Sequence, residues 1–184
     1  MAIDSIKILR TQRGTAQLPM ATFPGCYRWW FFEDEAIALL NKINFSPTFY
    51  HLIQKQIING KSYWCLYCGI SKNLKNRFVW HVFQKHTDST VKHGALSTLR
   101  QTLSALLGAS MSHAECLVNQ FMDSYCYFEY DNVETHTQAE VWEKSELQSQ
   151  EYAYPLNIQG NISLRKIAPD VIKTLKSLRK QYNK

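Results

Sequence analysis

The sequence predicts a mixed α/β (α+β) domain, a small antiparallel sheet flanked by helices. Three observations lead there. The run Cys26–Phe32, CYRWWFF, is dense in aromatic residues that favour strands. Two more strand-like runs, 50–58 and 62–70, are joined by Asn59-Gly60, whose residues both tolerate the positive φ of a two-residue hairpin. Several other segments place apolar residues at the 3.6-residue period of a helix.

Taken in order, Glu33-Asp34-Glu35 follows the first strand and complements the dipole of a helix carrying Ile37, Leu40 and Ile43 as its apolar stripe. After the hairpin, Ser71 can cap a helix over 72–86 that buries Leu74, Phe78 and Val82. Arg77, His81 and Lys85 recur every four residues and share an adjacent face. Leu99, Leu103, Leu106 and Leu107 mark an amphipathic helix closed by Gly108. Residues 113–123 read as helix and 125–130 alternate as a strand. Thr137-Gln138-Ala139-Glu140 has the form of a capping box, opening a helix to about Gln150, and Pro155-Leu156-Asn157 is a loop. Pro169 suits the first turn of a last helix, with Val171, Ile172, Leu175 and Leu178 inward and Lys173, Lys176, Arg179 and Lys180 outward.

Composition narrows the class. The chain has 184 residues, 45% hydrophobic and 20% charged, which excludes a disordered or fibrous protein and favours one domain. No apolar run approaches the roughly 18 residues of a membrane span. Lys7, Arg10 and Arg13 near the start lie in no continuous apolar stretch, so no secretory signal is read. Five cysteines are then expected as free thiols in a reducing cytoplasm. Charge is uneven: residues 23–87 carry eight basic and three acidic residues, 88–161 three basic and ten acidic, and 162–184 seven basic and only Asp170. A basic half and tail around an acidic stretch suits a nucleic-acid partner, with carboxylates left to hold a cation; an unevenly charged solvated surface would look the same.

Cys65-x2-Cys68-x12-His81-x4-His86 has the spacing of a C2H2 zinc finger, with Tyr63 two residues ahead. Against it, the position four residues after the second cysteine should be a core aromatic and is Lys72. A finger would also leave both large flanks unexplained. Tyr63–Cys68 alternates like a strand of a wider sheet, where cysteine is a small buried hydrophobe.

A set spread over the whole chain explains more: Gly25-Cys26-Tyr27 on the first strand, Tyr67-Cys68-Gly69 on a later one, Arg77 and His81 one turn apart, Glu143 and Glu146 on a helix, then Asn157. This ordered set resembles the GIY-YIG endonuclease family, and YCGISKNLKNRFVWH follows the family's tripeptide, loop, Leu, Arg, His pattern. PGCYRWWF, STLRQTLSALLG and YPLNIQGN further resemble a bacterial branch carrying this domain. The resemblance implies a GIY-YIG nuclease-like domain over 23–161, preceded by an extension at 1–22 and followed by a basic helix, 162–184, packed on the same domain. Two departures stand out. Tyr27 and Tyr67 are 40 residues apart, so the intervening segment reads as an insertion, and Cys26 and Cys68 replace the usual apolar middle residues.

The resemblance further implies a divalent-metal-dependent DNA endonuclease that hydrolyses phosphodiester bonds with Mg²⁺ (or Mn²⁺) held by one helix glutamate. Glu143, after the apolar Val141-Trp142, is favoured as metal ligand, with Glu146 as the alternative. Tyr27 would orient or activate water, Tyr67 would supply a similar hydroxyl, Arg77 would clamp phosphate, and His81 would accept or relay a proton. Asn157 would steady the loop or metal-bound waters, Lys72, Lys75 and Lys85 would meet the DNA, and Arg100 would contact a phosphate or serve as a structural, buried ion-pair partner. By spacing alone, the tyrosines could be sheet aromatics, Arg77 and His81 a solvated edge, and the glutamates exposed helix charges. The alternative is a non-catalytic nucleic-acid-binding protein, with Cys65, Cys68, His81 and His86 as a zinc site. No motif speaks to an oligomeric state.

Overall fold

Strand β2 (Gly25–Phe32) is the middle of a five-stranded antiparallel sheet in the order β1-β5-β2-β4-β3. The other strands are β1 (Ala2–Ser5), β3 (Lys55–Ile58), β4 (Lys61–Ser71) and β5 (Cys126–Asn132). The structure, a computed structural model, describes residues 1–15 and 18–183, without the side chains of 13–15; Arg13 as a charge therefore lies outside the described residues. The helices are α1 (Ile6–Thr15), α2 (Glu33–Lys42), α3 (Leu74–Phe83), α4 (Asp88–Lys92), α5 (Thr98–Leu106), α6 (Glu115–Tyr125), α7 (His136–Gln148), α8 (Ile162–Ile167) and α9 (Pro169–Gln181). None of the described helices is long and apolar enough to cross a membrane.

Both faces of the sheet are covered, as its aromatic content requires. On one face Tyr27, Trp29, Phe31, Leu66 and Phe128 join the main core beneath α3, α5, α6 and α9. On the other, Trp30, Tyr63, Cys65 and Cys68 pack with Leu147 of α7 and with Tyr154. β1 adds a strand beside β5, and α1 packs against α6.

Strands β2 and β4 are direct neighbours despite the long connection between them. That connection forms α2, a 3₁₀ turn (Pro47–Leu52) and the edge strand β3. The expected strand over 50–58 is thus half right. Pro47 and the Ser46 hydroxyl, which accepts from the Thr48 amide, start a helical turn, and only Lys55–Ile58 pairs with β4. Asn59 (φ 50°) and Gly60 (φ 75°) make the expected two-residue hairpin.

Two helix starts also move. Asn73, not Ser71, caps α3 by accepting from the Asn76 amide at 2.9 Å, because Ser71 is still in β4. The capping box of α7 is Thr135 with Gln138, two residues ahead of the expected one.

Candidate active site

The ends of β2 and β4 open into a cleft of about 1320 Å³, closed by α3, α5, α7, the loop at 156–159 and α9. Tyr27, Tyr67, Arg77, Glu143 and Asn157 all line it. A β-bulge brings the two tyrosines to it. Trp29 pairs with Tyr67, but Trp30 pairs with Cys65, leaving Leu66 as the extra residue in β4. Leu66 and Tyr67 consequently both face the main core, as Tyr27 does, while Cys65 and Cys68 face the other side. Gly25 sits where a side chain would meet the Asp131 carbonyl oxygen at 2.5 Å, so the first tripeptide needs its glycine for strand pairing.

Behind the cleft, the Tyr27 hydroxyl and His81 Nε2 are 3.0 Å apart. His81 is fully buried, and its Nδ1 has no partner among the described residues. Burial holds its pKa well below the ordinary 6.5, and the cations Arg77 and Arg100 push it the same way, so the ring is neutral. Burial also pushes the Tyr27 hydroxyl well above its ordinary value, with Tyr67 adding to the rise and Arg77 opposing it. The Tyr67 hydroxyl shares a hydrogen bond of 3.0 Å with Thr98 Oγ1. Arg77 lays its guanidinium over the Trp80 ring, 4.7 Å from the centroid, which fixes the plane of its donors.

Glu143 is half-buried on the cleft-facing side of α7, and its carboxylate has no hydrogen bond or ion pair among the described residues. Burial raises its pKa, with Arg77 and His136 only partly opposing that. A desolvated carboxylate with no close partner beside the two hydroxyls suits a hard cation that keeps most of its waters.

Glu146 is not brought to this cleft. One turn along α7 it turns under the sheet, where it pairs with Arg28 (Nη2 to Oε1, 2.7 Å) and accepts from the Tyr154 hydroxyl and from Gln54 Nε2. Its oxygens are spent holding Arg28 in place, and Arg28 also stacks over Trp142.

Three of the expected DNA contacts do not reach the cleft either. Arg100 is completely buried. It donates to His86 Nε2 at 2.6 Å, to the carbonyls of His81 and Val82 at 3.0 and 3.1 Å, and to Asn119 Oδ1 at 2.8 Å. It thus satisfies the free carbonyls at the end of α3 rather than a phosphate. Lys85 pairs with Glu115 at 2.8 Å, and Lys75 lies outside the cleft lining. Lys72 does line it. Asn157 lines it too, but its amide is engaged with the Cys68 backbone, accepting from the N–H at 2.9 Å and donating to the carbonyl at 2.8 Å. It acts as a strand partner that fixes β4 beside Tyr67.

The zinc arrangement does not form. Cys65 and Cys68 face the cluster under α7, His81 lies on the opposite side of the sheet against Tyr27, and His86 is held between the Met111 carbonyl and Arg100. Among the described residues no group of three or more His, Cys, Asp or Glu is placed to hold a metal.

Sequence reasoning put the cations of the last helix on an outer face and did not assign them to the site. Lys176, Arg179, Lys180 and Asn183 line the cleft from α9 and its end, joined by Arg165, Thr98, Gln101 and His136. The signal was present: 176, 179, 180 and 183 form one helical stripe alongside the face that buries Val171, Ile172 and Leu175. Among the described charged residues, six cations line the cleft against one carboxylate, Glu143.

Comparison with known proteins agrees with this geometry. No curated protein and no solved structure matches the chain. The family profile of the GIY-YIG catalytic domain matches residues 25–181, from the first residue of β2 to the last of α9. With that match spanning most of the chain and both tripeptides at one cleft, the protein belongs to the GIY-YIG catalytic domain family.

Proposed function

We propose that the protein is a divalent-metal-dependent DNA endonuclease that hydrolyses phosphodiester bonds. The observation that carries this reading is the convergence of Tyr27, Tyr67, Arg77 and the uncommitted Glu143 on one cation-rimmed cleft.

The scissile phosphate enters between Arg77 and the two tyrosines. Arg77, held flat on Trp80, donates to the non-bridging oxygens and offsets the charge that grows on them. Tyr27 is too basic to exist as a free phenolate at neutral pH. It works instead as a relay: the attacking water passes a proton to the Tyr27 oxygen as the Tyr27 proton moves to His81 Nε2, 3.0 Å away. His81 is neutral, so its Nε2 can take the proton, and because burial disfavours the charged ring it holds that proton only in passing. Tyr67, fixed by Thr98, donates from the other side and orients the water or phosphate. Glu143 is the residue that would hold Mg²⁺ or Mn²⁺. A bound divalent ion supplies charge relief at the phosphate and its leaving oxygen. Asn157 supports Tyr67 through the β4 backbone.

The test is cleavage of supercoiled plasmid by the purified protein with Mg²⁺, with Mn²⁺ and with EDTA, alongside Tyr27→Phe and Glu143→Gln. Nicked or linear product that disappears in EDTA and in both variants supports the reading. Cleavage that survives both variants sinks it, and salt-sensitive binding without cleavage would leave a DNA-binding protein that lacks the reaction.

A further inference from the structure

Arg179 is in an unusual position for a cation. It sits on α9 facing the cleft, and one guanidinium nitrogen donates to Gln101 Oε1 on α5. Its Nε is buried and has no partner among the described residues. No carboxylate among those residues lies within ion-pair distance of it. Burial lowers its pKa, with Tyr67 on the same cleft opposing that. Partial desolvation of a guanidinium costs free energy that a neutral amide does not fully return, so an anion entering the cleft would find a favourable partner there. Lys176 and Lys180, three residues before and one after, line the same wall.

We infer that α9 is a second phosphate-gripping wall of the cleft, with Arg179 seating a backbone phosphate of the nucleic acid next to the one being cleaved, flanked by Lys176 and Lys180. The inference rests on the nuclease reading of the cleft. Gln101 takes one Nη donor and fixes the plane of the guanidinium, leaving the other Nη to donate to a phosphate oxygen from the cleft wall. Tyr67 and Arg179 line the same cleft, which places the two phosphates along one wall-to-wall path.

The experiment measures binding of a fluorescent linear DNA duplex to the full chain in EDTA, over a series of salt concentrations. Arg179→Gln, which keeps a polar contact with Gln101, is expected to weaken binding about 10- to 100-fold and to lower the slope of log affinity against log salt by about one. Arg179→Lys keeps the slope but not the affinity, because it retains the charge and loses the fork. A melting curve on each variant reports folding. Native slope and affinity in folded Arg179→Gln would overturn the inference alone and leave Arg179 as a tie between α9 and α5. If Arg179→Gln does not fold, Lys176→Gln and Lys180→Gln carry the test, each expected to lower the slope by about one, and unchanged slopes in both would overturn the wall. No salt-dependent binding by the native protein would overturn the nucleic-acid reading and this inference together.

Discussion

A β-carbon on Gly69 would lie 2.6 Å from the Tyr27 oxygen and 2.8 Å from its Cζ. The ring has no room to retreat, with His81 at its hydroxyl and Phe128 stacked 5.4 Å from its centroid. Gly69→Ala is therefore expected to cost about 1–3 kcal/mol of stability by overpacking and to break the Tyr27–His81 hydrogen bond. Plasmid cleavage should fall about 100-fold or more, the scale of a lost proton relay. Adding Tyr27→Phe removes the nearest clashing atom, so the melting temperature of the double variant should recover part of the loss while activity does not. Strictly additive destabilisation would show that the ring is not what the β-carbon displaces.

Arg100 makes the opposite prediction to a DNA contact. Its donors close the last turn of α3, the element that carries Arg77 and His81. Arg100→Gln should destabilise the fold by about 2–4 kcal/mol, since it strands the carbonyls of His81 and Val82 and the ring of His86. Below its lowered melting temperature, the variant should bind DNA with the native salt dependence. A reduced salt slope would mean that Arg100 reaches a phosphate after all.

What the sequence made legible follows from local rules. Asn59-Gly60 forces its hairpin whatever surrounds it, and the aromatic density of residues 26–32 demands a doubly covered strand. Tyr27, Tyr67, Arg77 and Glu143 were chosen by order and type, and they do share one cleft. Long-range facts were not legible. The bulge at Leu66 reverses the face that strict alternation assigns to Tyr67, and no local signal marks it. The flank Val141-Trp142 favours Glu143, but spacing from the proline loop speaks for Glu146, and it takes the location of Arg28 under α7 to separate them. Arg100, expected at the DNA, is a buried strut, and Arg179, expected on an outer face, lines the cleft, because the surroundings of a charged residue depend on partners far away in the chain.

The two glutamates should separate cleanly. Burial raises the pKa of Glu143, so between the ordinary carboxylate value and its raised one the native state holds more protons than the unfolded chain. Above that window, at neutral pH, the ionised carboxylate is a cost to the folded protein. Glu143→Gln should therefore raise the melting temperature measured in EDTA while abolishing cleavage. Glu146→Gln should lower it, because Arg28 loses its closest carboxylate in a half-dry site, at about 3–5 kcal/mol for a broken buried pair. Equal melting temperatures for the two variants would remove the distinction.

His81 and His86 give the fold a defined response to acid. Burial holds both rings below their ordinary 6.5, with nearby arginines adding to the shift. The unfolded chain therefore binds two protons near pH 6.5 that the native state refuses. Stability from this source is complete above that pH and is lost as pH falls through and below it. Two such groups give a slope approaching about 2.7 kcal/mol per pH unit, moderated by the proton that Glu143 gains in the native state. Urea unfolding between about pH 7.5 and 5 measures it, and His86→Gln should remove roughly half. Activity should behave differently. Because His81 stays neutral well below 6.5, the acid limb of the cleavage rate at limiting metal belongs to Glu143, where protons compete with the cation for a carboxylate whose pKa burial raises above the ordinary 4.5. An inflection at 6.5 in the native pH–rate profile would mean that the Tyr27–His81 pair titrates in the free enzyme and that the relay is wrongly drawn.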